Sequence, residues 1–262
     1  MNHDLLEGFR RCRARADTDE ARIAALVARV LDPLVDPSAV EADLQVLADA
    51  CPLRQPPWTY LAQAGFEGNT ADYGALDNSN LARVLETRRG IPITLGTLLL
   101  RVARTAGRRA AGINFPGHFL VQVDEVLVDP FVMQVVQADR VVERLPAASR
   151  RLPRETLFAA ASPVAVGLRM LNNIKLIHAQ GAAWHRALDV VDAQLALAPD
   201  HPALHLERGD LWRRLGSVAP ARESWQRALD LAEATGGDEL EQVRRAVRTR
   251  IDEVGGSGDV IH

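Results

Sequence analysis

His118 and Asp129 are the residues whose types and placement come nearest to a chemical site. They fall in INFPGHFLVQVDEVLVDPF, whose alternating apolar residues read as a β-hairpin. His118 opens its first strand and Asp129 stands near the end of its second. With the turn at Asp124-Glu125, Leu120 faces Asp129, Val123 faces Val126, and alternate side chains share a face. Phe119, Val121, Val123, Val126 and Val128 make one apolar face; His118, Leu120, Gln122, Leu127 and Asp129 make the other. His118 and Asp129 are then diagonal neighbours, roughly 7 Å apart at the backbone and within reach of an imidazole–carboxylate hydrogen bond. Such a pair fixes the imidazole tautomer and supports its cation, as a general base needs.

A nucleophile for this pair belongs at the N-terminus of the preceding helix, where free N–H groups lower a thiol's pKa and stabilise an oxyanion. That helix is RRGIPITLGTLLLRVARTAG, with Pro92 at its first position, where the missing N–H had no intrahelical partner. Ile91-Pro92-Ile93-Thr94 contains no thiol, and its one hydroxyl is that of Thr94. The residues leave two readings open. Either Thr94, or a water activated by His118, completes an acyl-transfer or amide-hydrolysing site, or His118 ends a strand and Asp129 caps a turn before Pro130.

The elements around this stretch are mostly helical. Ala21 to Leu34 and Val40 to Ala50 carry apolar residues at helical spacing, and the Pro-rich CPLRQPPW then interrupts the chain. GNTADYGALDNSN reads as a loop ahead of the helix LARVLETRR; the Asn side chains of residues 69–80 either line a binding surface or satisfy the loop's own backbone. Residues 135–153 show no single period, and Arg150, Arg151, Pro153 and Arg154 mark an exposed link. From about Val164 the pattern is helical again. Ala187, Val191, Leu195 and Leu197 recur 34 residues later as Ala221, Trp225, Leu229 and Leu231, which is the tetratricopeptide period. Lys175 and Arg208 occupy places where that repeat usually has a glycine and a leucine. Glu239 to Val254 is expected to cap the array. The domains expected are 1–155, 164–254 and a flexible tail at 255–262.

Composition narrows the function class. A 47% hydrophobic and 25% charged chain of net charge −3 has the profile of a soluble globular protein, with no basic field for nucleic acid or anionic membrane. The start MNHDLLEGFRRCRARAD is too polar for a leader or an anchor, and two cysteines, Cys12 and Cys51, suit a reducing cytoplasm better than a disulfide framework. His201 and His205 share a spacing with metal ligands but lack an acidic partner. No metal and no organic cofactor is expected.

The run FEGNTADYGALDNSNLARVLETRRGIPITLGTLLLRVARTAG, followed by GINFPGHFLVQV and VDPF, closely resembles the bacterial SirB-type family, and the resemblance extends through LRMLNNIKLIHAQGAAWHRALDVVDAQLALAPDHP. It implies an α+β fold: a papain- or transglutaminase-like core, a central helix packed on a small antiparallel sheet, preceded by helices and followed by tetratricopeptide repeats. In active transglutaminase-like domains a Cys starts the central helix. Here that place falls near Pro92, whereas His118 and Asp129 match the family's His and Asp. The resemblance therefore implies a non-catalytic scaffold that binds a protein or peptide, with Asn114, Pro92 and Gly117 beside His118, Asp129 and Thr94 in the cleft. A third possibility is an adaptor whose repeats do all the binding.

Overall fold

The computed structural model describes residues 3–237 and 240–255, and the chain divides into two compact units. One runs Ala14–Met170; the other joins Met1–Arg13 to the chain from Leu171 onward. The tail expected at 255–262 lies almost wholly outside the described residues.

In the first unit, helices α2 (Glu20–Leu31), α3 (Pro37–Asp49), α4 (Pro57–Gln63), α5 (Leu81–Thr87) and α6 (Pro92–Thr105) precede most of the sheet; α1 (His3–Ala14) groups with the other unit. Side-chain caps mark where α2, α3 and α5 begin. Asp19 accepts from Arg22 N at 3.0 Å, Asp36 from Ser38 N at 3.0 Å, and Asn80 from Ala82 N at 3.1 Å, each satisfying an N–H that its helix cannot. α6 is the central element and is buried along nearly its whole length. Two polar links hold α2 to it. Arg101 reaches Asp19 at 2.6 Å, and Arg104 forks onto Glu20 at 2.5 and 3.2 Å. Burial alone would lower the Arg104 guanidinium's pKa, but the Glu20 bond and charge outweigh it and hold it raised.

Two short strands, β1 (Glu67–Gly68) and β2 (Arg89–Gly90), pair in parallel. The main sheet is antiparallel, with β3 (Ala110–Ile113), β4 (Leu120–Val123), β5 (Val126–Asp129) and β6 (Gln134–Val135) in chain order. The hairpin register agrees with the sequence reading, Val121 opposite Val128 and Val123 opposite Val126, with Asp124 at φ 49° in the turn. α6 lies so close to β4 that a Cβ on Gly96 would come within 2.5 Å of the Phe119 ring.

Two expectations need correction. β4 begins at Leu120, not at His118. Pro116 and Gly117 form a turn first, with Gly117 at φ 70°, so His118 is delivered by a turn. Nor is the hairpin face that carries His118 and Asp129 a polar one, as its contrast with the apolar face suggests. Leu120 and Leu127 pack into a cluster with Ile113, Phe115, Val141, Leu145 and Leu157, supplied in part by α7 (Ala138–Glu143) and α8 (Arg154–Leu157). The stretch without a clear period is a cover over that face.

The second unit is helical: α9 (Pro163–Gln180), which enters it from the first, then α10 (Trp184–Leu197), α11 (Pro202–Arg214), α12 (Val218–Thr235) and α13 (Glu241–Gly255). α10 and α12 start 34 residues apart, at Trp184 and Val218. Ala187 and Val191 in one, and Ala221 and Trp225 in the other, are all fully buried. Trp225 fills the gap left by Gly209, where a Cβ would meet its ring at 2.3 Å, and Val247 of α13 joins that cluster. The two residues that depart from the repeat pattern both join helices by charge. Lys175 pairs with Glu207, and Arg208 reaches Asp192 at 2.8 Å and the Ser224 hydroxyl at 3.1 Å. Among the described residues, no helix is long and apolar enough to cross a membrane.

Candidate functional site

The site is assembled on a turn. Phe115 N donates to Ile113 O at 2.8 Å and His118 N donates to Phe115 O at 3.1 Å, so the segment closes tightly between β3 and β4. Arg169 of α9 locks it from outside. Its guanidinium donates to Phe115 O at 3.1 Å and to His118 O at 2.8 Å, holding both ends of the turn. Burial lowers the Arg169 pKa and the Tyr73 hydroxyl opposes that shift; burial in turn raises the Tyr73 phenol, which Arg169 lowers. Arg169 is thus a positioning residue that orients the backbone beneath the imidazole.

Asp129 closes the other side. His118 Nε2 lies 2.9 Å from Asp129 Oδ1, and the same oxygen accepts from Phe131 N at 2.9 Å. The carboxylate therefore caps the turn through Pro130 and contacts the imidazole at once; the two roles set against each other in the sequence coexist. Nε2 and Oδ1 are in contact, but Nε2 makes no aligned hydrogen bond. His118 keeps 30% of its side-chain surface and opens onto a cleft of about 300 Å³. Gly117, His118 and Asp129 line it together with Phe115, Val141, Arg144 and Leu145.

The start of α6, where the sequence suggests a nucleophile, is buried. Ile91, extended, precedes Pro92 at the first turn of α6, and Pro92, Ile93 and Thr94 are all buried. Thr94 is 0% exposed and its hydroxyl has no hydrogen-bond partner, His118 included. Neither Thr94, Pro92 nor Asn114 is among the residues lining the cleft; the Asn114 side-chain oxygen is buried and unpartnered. Cys51 is buried beside the Pro52 carbonyl, and burial pushes its thiol's pKa up, away from the reactive thiolate. What the cleft offers is an imidazole and a carboxylate, with no hydroxyl or thiol among its lining residues.

The Asn-rich loop spends its side chains on itself. Asn78 donates to Asp72 O at 2.6 Å and to Tyr73 O at 3.1 Å while accepting from Asn69 at 2.9 Å. His205 contacts Pro199 O at 2.7 Å, which commits one nitrogen of the His201–His205 spacing. Sequence reasoning passed over Arg169 and Arg144. An arginine in a helix ordinarily reads as solvated, and no local spacing reveals a partner in a distant turn.

A model of the transglutaminase-like superfamily matches residues 20–172, which takes in both strands of the hairpin and reaches just past Arg169. The chain belongs to the transglutaminase-like superfamily. The domain's relatives include the UPF0162 protein of Xylella fastidiosa (strain 9a5c), 34% identical over 187 residues that cover 67% of this chain and 66% of that protein. A UPF0162 protein of Vibrio cholerae is 30% identical over 161 residues, 58% of each chain. F-box only protein 21 of Mus musculus is 28% identical over 173 residues, 59% of this chain but 26% of that protein. The matched stretch is thus just under two thirds of the Xylella relative and a shorter share of the others. No solved structure matches the chain.

Proposed function

We propose that this chain is a SirB-type transglutaminase-like protein whose domain binds a protein or peptide without turning it over, and whose C-terminal helices form tetratricopeptide repeats that support or extend that binding. One observation carries the reading: the His118–Asp129 contact faces an open cleft, while the position that would hold the thiol is a buried Pro92 followed by a buried, unpartnered Thr94. The site lacks an atom to attack with, which suits recognition of a guest more than its transformation. The 34-residue step between α10 and α12, with Trp225 against Gly209, supports the repeat assignment.

The contact of His118 with Asp129 in an open cleft also favours a second reading, amide hydrolysis or acyl transfer through a water activated by His118, because Thr94 is sealed from the cleft. One experiment separates the two. Peptides selected on the full chain from a random display library are titrated against wild type, His118→Ala and Asp129→Ala, and glutamine-containing peptides are assayed for ammonia release and amine incorporation. The scaffold reading expects binding that His118→Ala weakens at least tenfold and no turnover. Turnover that disappears in His118→Ala overturns it in favour of the enzyme.

A further inference from the structure

The cleft at His118 has a size and a charge pattern that select a particular kind of guest. At about 300 Å³ it stands at the low end of the roughly 300–1,000 Å³ typical of ligand pockets, enough for one or two side chains and too small for a long extended chain. Its apolar lining comes from Phe115, Val141 and Leu145. Its charged lining is unequal. Asp129 is occupied by the Phe131 N–H and by His118, whereas Arg144 is exposed and, among the described residues, its side chain forms no hydrogen bond or ion pair. Its charged neighbours are paired elsewhere: Arg140 with Glu143 at 3.7 Å, and Arg154 with Asp139. Arg144 is thus a cation without a counter-ion beside an apolar pocket.

From this cleft, and resting on the binding function proposed above, we infer that it takes the C-terminal residue of a peptide, an apolar side chain ending in a free carboxylate. The carboxylate meets the Arg144 guanidinium, whose planar fork suits it. The apolar side chain enters between Phe115, Val141 and Leu145. A mid-chain segment without Asp or Glu has no carboxylate to offer Arg144.

The test uses the full chain and two probes, fluorescein-labelled Gly-Ala-Ala-Leu as the free acid and as the C-terminal amide, titrated by fluorescence anisotropy. Wild type is expected to bind the acid about tenfold more tightly than the amide. Arg144→Gln, an exposed substitution, is expected to erase that preference. Arg140→Gln, a neighbouring charge outside the cleft lining, is expected to preserve it. Equal binding of acid and amide by wild type, or loss of the preference in Arg140→Gln as well, overturns the inference and leaves the binding function standing. The same holds if neither probe binds while library-selected peptides bind through His118. Failure of every peptide overturns both.

Discussion

The two units of this molecule solve the same problem of burial by different means. The transglutaminase-like unit is held by particular polar bonds: Arg104 on a Glu20 that is only 2% exposed, Asn78 on loop carbonyls, Arg169 on the turn at His118. The helical unit is held by the same kind of contact used twice, small residues on one helix admitting large ones from the next, with Ala187 and Val191 answered by Ala221 and Trp225. A unit built on singular bonds can point a side chain such as His118 in one direction.

The largest test of the contrast is Trp225→Ala. It empties the fully buried space against Gly209 and is expected to cost about 4 kcal/mol. Amide exchange should lose protection across α11, α12 and α13 together, because their shared cluster includes Val247; loss confined to α12 would show that the helices are not one array. Next comes Arg104→Ala, expected to cost about 3 kcal/mol in urea unfolding by leaving Glu20 buried without its partner. Replacing both residues by Met should recover most of that loss. If it does not, the first unit depends on this ion pair for more than charge neutralisation.

The smallest effect is that of pH, and it belongs to the helical unit. Burial, followed by the Arg186 charge, lowers the His178 pKa; burial also lowers that of His205, against the bond to Pro199 O that raises it. A histidine whose folded pKa is depressed binds its proton in the unfolded chain first, so stability is full above the ordinary value near 6.5 and falls as pH drops below it. The exchange protection of α9 and α11 should therefore decline from pH 7.5 to pH 5.5, and His178→Gln with His205→Gln should flatten the decline. An unchanged slope in the double variant would remove the histidines as its cause.

How much of this was legible beforehand follows the same division. Regular period made the helices readable, and the hairpin register emerged correctly because a period of two and a two-residue turn at Asp124-Glu125 leave one alignment that buries Val121 and Val128 together. The proximity of His118 to Asp129 was readable for that reason. What could not be read is whatever depends on contact between distant segments. The cover provided by Val141, Leu145 and Leu157 is broken by arginines and prolines and shows no period of its own. The burial of Thr94 depends on what packs over the start of α6, and Arg144 gains meaning only from the cleft it lines. Lys175 and Arg208, departures when read along the chain, turn out to be cross-helix ties.

Arg169 also has a bearing on how the domain comes into being. The bond that sets the carbonyl of His118 joins residues 51 apart, so the turn reaches its final shape only once α9 is in place. A contact of that separation closes a long loop and adds an entropic barrier that a hairpin by itself does not meet. A nascent chain that has made both strands can already pair Val121 with Val128 and still leave its imidazole unaimed. Maturation of the cleft is therefore timed by the appearance of α9, the helix that also runs into the second unit.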